Sequence, residues 1–143
     1  TYGYDHVINY NKENFSEKVL EITNGKGVSV VYDGVGKSTF EGSLKCLRVR
    51  GMMISFGNAS GALDPIDVSK MLQPKGLFFV RPAMGQYLGT QEELNEAAKV
   101  LFEKISSGNV NIEIFKEYKL DDIKQAHIDM ESRKIVGPAV IKP

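Results

Sequence analysis

The sequence predicts an α/β domain built on a parallel sheet, with strands and helices alternating along the chain. Three observations carry the prediction. Residues 28–32, 52–56 and 77–81 are short, nearly continuous apolar runs, the pattern of strands covered on both faces. Apolar residues at helical spacing fill the intervals between the runs, and glycine or proline turns close the segments. Alternation of this kind implies right-handed crossovers, with ligands bound beyond the carboxyl ends of the strands.

Taken in order, residues 5–10 carry His6, Val7, Ile8 and Tyr10 in a β-prone run. Asn14 stands three residues before Glu17 as a capping-box-like helix start, and Phe15, Val19 and Ile22 repeat at helical spacing until Asn24-Gly25. After the strand at 28–32, a short helix over 39–47 ends in a turn at Arg50-Gly51, and the strand at 52–56 follows. A small-residue loop at 57–66, a weak helical stretch at 67–72 and a turn at Gln73-Pro74-Lys75-Gly76 lead to the strand at 77–81. Thr90 and Glu93 form a capping box for a helix with Leu94, Ala97, Ala98, Leu101 and Ile105 on one face, ending near Gly108. Residues 112–120 read as a strand, Asp121 as the cap of a helix bearing Ile123, Ala126 and Met130, and residues 139–141 as a last strand.

A chain of 143 residues, 42% of them apolar, suits one domain with one core. Its 18 basic and 18 acidic side chains cancel, so no overall field favours nucleic acid or an anionic membrane. A lone cysteine, Cys46, excludes a disulfide framework and a cysteine-rich metal site, and a cytoplasmic setting fits it. Its neighbours Leu44 and Leu47 make it a buried small hydrophobe. No apolar run approaches the roughly 18 residues of a spanning helix. The opening Thr1-Tyr2-Gly3-Tyr4 reads as a cut in a longer chain.

The strand ends hold the informative residues: Asn9-Tyr10, Asp33-Gly34-Val35-Gly36, Ser55-Phe56-Gly57-Asn58 and Val80-Arg81-Pro82. Gly36-Lys37-Ser38 resembles the close of a phosphate loop, but that motif needs a glycine where Val31 stands. Gly34-Val35-Gly36 also begins a dinucleotide fingerprint, yet Thr39 occupies the third glycine position. The pair serves either a tight turn or the close passage of backbone beside a cofactor. No triad or metal set is visible, and His6 and His127 read as packed rather than catalytic. Chemistry supplied by a bound cofactor is the reading this absence favours.

At these strand ends the chain resembles the zeta-crystallin-like quinone oxidoreductases of the medium-chain dehydrogenase/reductase superfamily. The resemblance rests on Val7-Ile8-Asn9-Tyr10, on Val31-Tyr32-Asp33-Gly34-Val35-Gly36 and on Gly42-Ser43-Leu44 with Cys46-Leu47. Ser55-Phe56-Gly57-Asn58-Ala59-Ser60-Gly61 and Glu131-Ser132-Arg133 followed by Gly137 complete it, in family order. It implies an incomplete doubly wound, Rossmann-like parallel sheet with helices on both faces, residues 1–143 being the C-terminal part of an NADPH-binding domain. The first strands, the phosphate loop and an N-terminal catalytic domain are expected to be absent. The implied activity is transfer of reducing equivalents from NADPH to a quinone, without zinc. Reduction of an activated alkene, or an inactive association module as the isolated piece, are the alternatives.

Carried over by position, the resemblance implies that Tyr10 meets the adenosine 2′-phosphate, which favours NADPH over NADH. It implies that Val35 packs on the ribose or adenine side, that Phe56, Gly57, Asn58 and Ala59 line the nicotinamide half, and that Arg133 reaches the cofactor from the last helix. The relatives commonly have serine at Gly34 and threonine at Val80, so the hydroxyl contacts of those positions are missing here. The run of Leu77, Phe78, Phe79, Val80 and Arg81 is implied to be an edge strand that pairs in a homodimer.

Overall fold

The computed structural model describes residues 3–143; Thr1 and Tyr2, which stand ahead of the expected first strand, lie outside the described residues. The chain forms two compact units, one ending at Tyr87 and the other Leu88–Pro143, where length alone suggests a single domain.

The first unit begins its regular structure with helix α1, Phe15–Ile22. Asn14 Oδ1 accepts hydrogen bonds from the amides of Ser16 at 3.1 Å and Glu17 at 3.4 Å, and Asn14 Nδ2 donates to Glu17 Oε1 at 2.9 Å. At the other end Asn24 takes φ 51° and Gly25 φ 77°, so that their amides reach Glu21 O and Leu20 O and close the helix. Strand β1 (Val28–Asp33), helix α2 (Phe40–Cys46), strand β2 (Leu47–Ser55), the short helix α3 (Val68–Met71) and strand β3 (Phe78–Val80) follow. They form a parallel sheet in the order β1-β2-β3, each strand joined to the next through a helix.

The register decides which face is buried. Val31, Met53 and Phe79 stand in one row, under Phe40 and Leu44 of α2, and Met53 is 0% exposed. Phe40 and Phe79 meet edge to face, 5.9 Å between ring centroids. The next rows, Val30-Met52-Phe78 and Tyr32-Ile54-Val80, point the other way. There Val30, Tyr32, Met52, Phe78 and Val80 are exposed, so the helices described in this unit cover one face of its sheet.

In this unit the structure departs from expectation in several places. Residues 5–10 form no strand, because among the described residues no neighbour supplies a ladder for them. Strand β2 starts at Leu47, and the turn at Arg50-Gly51 is a bulge inside it: Val28 pairs with Leu47 while Val30 pairs with Met52. An unforeseen helix, α4, spans Met84–Tyr87, and at its start Gln86 Oε1 accepts from Ala83 N at 3.1 Å.

The second unit opens with helix α5, Gln91–Ser106, whose reciprocal capping box between Thr90 and Glu93 is formed as the sequence predicts. Strand β4 is Lys116–Lys119, shorter than residues 112–120 suggest, and it pairs in parallel with β5, Ala139–Lys142. Phe115 N still donates to Pro138 O at 2.8 Å, but Pro138 has no N–H to return, and the regular ladder starts at Lys116 and Ala139. Helix α6, Ile123–Glu131, is entered through a tight turn at Leu120–Asp122, so Asp121 does not cap it; Asp122 stands at the cap and makes no side-chain cap bond. The buried face of α6 is Ala126 and Asp129, and His127 is exposed rather than packed. Asp129 organises this unit: it accepts hydrogen bonds from Lys116 Nζ, Tyr118 OH and Gln125 Nε2 at 2.8, 2.9 and 2.8 Å. These donors, Lys116 foremost, hold its carboxyl far below the usual range against the opposing effect of burial.

Candidate functional site

The chemistry-bearing residues of the first unit gather at the carboxyl ends of β1 and β2. Asp33 closes β1 and is 4% exposed, and its carboxylate accepts from four donors. Its Oδ1 accepts from Val35 N at 2.8 Å and Gly36 N at 2.9 Å. Thr39 Oγ1 lies 2.8 Å from Oδ2, and Ser43 Oγ donates to Oδ2 at 2.8 Å. Burial pushes this carboxyl up, but the donors of Gly36, Thr39, Ser43 and Val35 outweigh it and keep the group below its ordinary range. Saturated in this way, Asp33 is an anchor rather than a free base.

The turn it anchors is sewn to the loop after β2. Phe56 N donates to Asp33 O at 3.0 Å, Ala59 N to Gly34 O at 3.3 Å and Ser60 N to Val35 O at 2.7 Å. Ser60 Oγ also donates to Val35 O at 2.8 Å and accepts from Ser38 N at 2.9 Å. The two segments run so close that a methyl group on Gly57 would overlap the carbonyl of Gly34. Gly36 holds φ 90°, a conformation that side chains rarely adopt. Gly34 leaves room for the Phe56 ring, whose Cζ would stand 3.0 Å from a β-carbon there.

Tyr10 is brought to the same place by a different device. Asn9 Oδ1 accepts from Asn11 N at 3.0 Å and Asn9 O from Lys12 N at 2.9 Å, which turns the chain after Tyr10. Tyr10, half exposed, then lines a cavity of about 270 Å³ with Ile8, Phe15, Asp33, Gly34 and Val35. A second cavity of about 350 Å³ lies beside Asn58, Phe79 and Arg81. Arg81 Nη1 donates to the fully buried Ser55 Oγ at 3.0 Å, tying the end of β3 to the end of β2. The largest of the three cavities, about 490 Å³, is elsewhere, lined by Leu44, Met71, Pro74 and Leu77 at the amino ends of β2 and β3. It is larger but carries none of the strand-end residues.

Of the residues singled out in the sequence, Tyr10, Val35, Phe56, Gly57, Asn58 and Ala59 therefore stand around the ends of β1 and β2. Arg133 belongs to the second unit. There it sits just past α6 at φ 58°, its N–H on Met130 O and that of Lys134 on Asp129 O, both at 3.0 Å. Glycine is the usual occupant of this left-handed closing position. Asp33, Thr39, Ser43 and Ser60 hold these strand ends together, a role that sequence reasoning assigned to none of them. The available signal was an aspartate at a strand end two residues before Val35, where its side chain can bond the backbone ahead.

The phosphate-loop resemblance of Gly36-Lys37-Ser38 fails on this geometry. The amides of Val35 and Gly36, which would have to face phosphate, face a carboxylate, Lys37 N donates to Gly61 O at 3.3 Å, and Lys37 Nζ pairs with Asp64 at 2.9 Å. Cys46 is buried, which pushes its thiol up. Among the described residues no three histidine, cysteine, aspartate or glutamate side chains come together as a metal site, and no helix is long and apolar enough to cross a membrane.

The family model described as zinc-binding dehydrogenase matches residues 2–141. The quinone oxidoreductase of Salmonella typhimurium is 45% identical over 143 residues, covering 99% of this chain and 44% of that protein. The 2-haloacrylate reductase of a Burkholderia species is 43% identical over 142 residues, covering 99% of this chain and 43% of that protein. The crystal structure of Escherichia coli quinone oxidoreductase complexed with NADPH matches with a TM-score of 0.89 at 43% identity, over 96% of this chain and 43% of that one. The chain thus spans less than half the length of the relatives it matches.

The backbone strain at Arg133 gives a stability test. Arg133→Gly relieves a left-handed side chain and should raise the stability of the second unit by about 0.5–1 kcal/mol in urea unfolding. A loss of stability would show that the arginine side chain itself holds the end of α6.

Proposed function

Because this chain belongs to the zinc-binding dehydrogenase family, we propose that it is the C-terminal part of the NADPH-binding domain of a longer oxidoreductase that reduces quinones. The observation that carries the reading is the convergence of Tyr10, Val35 and the segment from Phe56 to Ala59 at the carboxyl ends of adjacent parallel strands. That is where a doubly wound sheet binds a dinucleotide. The described residues offer zinc no cluster of ligands, family description notwithstanding.

NADPH, when bound, supplies the reducing equivalents. The residues of this chain bind and orient it. The phenolic hydroxyl of Tyr10 donates to the 2′-phosphate, and Val35 packs against the ribose or adenine side above a wall kept low by Gly34 and Gly36. Phe56, Gly57, Asn58 and Ala59 line the nicotinamide half. The guanidinium of Arg133, exposed and held out at the close of α6, pairs with phosphate or amide oxygens. The saturated state of Asp33 leaves this site without a free buried base, in keeping with chemistry carried by the cofactor.

The acceptor is a quinone. An activated alkene is the second reading, favoured by the 43% identity to a 2-haloacrylate reductase. We place the enzyme in the cytoplasm, where the buried Cys46 stays reduced. A homodimer through the edge strand β3 completes the proposal: Phe78 is 58% exposed on a strand with one neighbour, an arrangement that invites pairing.

In the full-length protein Tyr10→Phe and Arg133→Ala should each raise the KM for NADPH roughly tenfold, the effect of one hydrogen bond to a charged group. Unchanged values in both variants would show that the site is wrongly placed. Phe78→Lys should convert the dimer to monomer in sedimentation velocity, and a wild-type protein that sediments as a monomer would overturn the dimer.

A further inference from the structure

The same strand ends hold a residue that the proposed cofactor contacts do not use. Asp33 is 4% exposed, and its carboxylate binds two amides of the turn that carries Val35 and two hydroxyls, those of Thr39 and Ser43, from the start of α2. Its carbonyl accepts from Phe56 N at 3.0 Å. By fixing the Val35 and Gly36 amides inward, the carboxylate directs the carbonyls of Gly34 and Val35 to the opposite side, where Ala59 N and Ser60 N meet them at 3.3 and 2.7 Å. One side chain therefore sets both walls of the cleft, the turn after β1 and the loop after β2.

We propose that Asp33 is a positioning residue for the dinucleotide, acting through Val35 and the loop from Phe56 to Ala59, with Thr39 and Ser43 holding its carboxylate in place. This rests on the NADPH reading of the site. Asp33 contributes no proton and no charge to the reaction: its negative charge is consumed by four donors, and its task is to keep backbone geometry fixed before the cofactor arrives. The hydroxyl spacing is part of the device. Thr39 lies at the entrance to α2 and Ser43 one turn later, so both face the end of β1.

The test is steady-state kinetics of the full-length protein with Asp33→Asn, which keeps the size and an acceptor oxygen but removes the charge, and with Ser43→Ala, which removes one donor. Asp33→Asn should raise the KM for NADPH about tenfold and Ser43→Ala about threefold, with kcat at saturating NADPH held within about twofold. Amide hydrogen exchange separates positioning from general weakening: Val35 and Gly36 should exchange faster in both variants while Met53, in the core of β2, keeps its protection. If Asp33→Asn does not fold, the Ser43→Ala measurements decide alone. NADPH-dependent turnover with unchanged KM in the folded variants overturns the positioning role alone. A wild-type protein that shows no NADPH-dependent turnover overturns the cofactor reading and this proposal with it.

Discussion

A carboxylate buried with no cation beside it among the described residues sits at the end of β1, and the local architecture is arranged around making that tolerable. Removing an ionised group from water costs several kcal/mol unless donors replace the lost solvent. Asp33 finds its replacements in the turn amides of Val35 and Gly36 and in the hydroxyls of Thr39 and Ser43. Two donors come from the turn and two from the start of α2, so satisfying one charge at the exit of β1 fixes the strand end, the turn and the helix start together. The loop after β2 follows, because its amides bond the carbonyls that this arrangement turns outward.

The sheet supplies the frame on which that anchor works. Parallel pairing in register places Asp33 opposite Ser55, so the two loops leave the sheet side by side and at one level. Ser55 is fully buried and held by Arg81, which carries the alignment on to β3. With Met53 and Phe79 packed beneath α2, the frame is rigid on the helix side, while the opposite face remains apolar and exposed at Tyr32 and Phe78.

Much of this was legible in the residues. Asn14, the Thr90-Glu93 box and the Asn24-Gly25 stop mark helix ends through local bonds alone, and local bonds are what sequence spacing reports. The apolar runs at 28–32, 52–56 and 77–81 became strands because a buried parallel strand needs little beyond length and hydrophobicity. Residues 5–10 also read as β-prone and formed none, since pairing depends on a neighbour that a single segment cannot declare. His127 was read on a buried face that the structure assigns to Ala126 and Asp129, because Asp129 finds partners in Lys116 and the buried Tyr118 that spacing cannot reveal. The residues proposed to line the cleft were visible as strand ends and through family likeness. Asp33 with Thr39 and Ser43 was not, because hydroxyls six and ten residues from an aspartate are meaningful only once α2 has folded back over β1.

The central claim is that the strand ends, and not the larger cavity at the amino ends of β2 and β3, receive the dinucleotide. Backbone amide resonances of the full-length protein followed during titration with NADPH test it most directly. Shifts concentrated at Tyr10, Val35, Phe56 to Ala59 and Arg133 are the expected result. Shifts concentrated instead at Leu44, Met71 and Leu77 would contradict it.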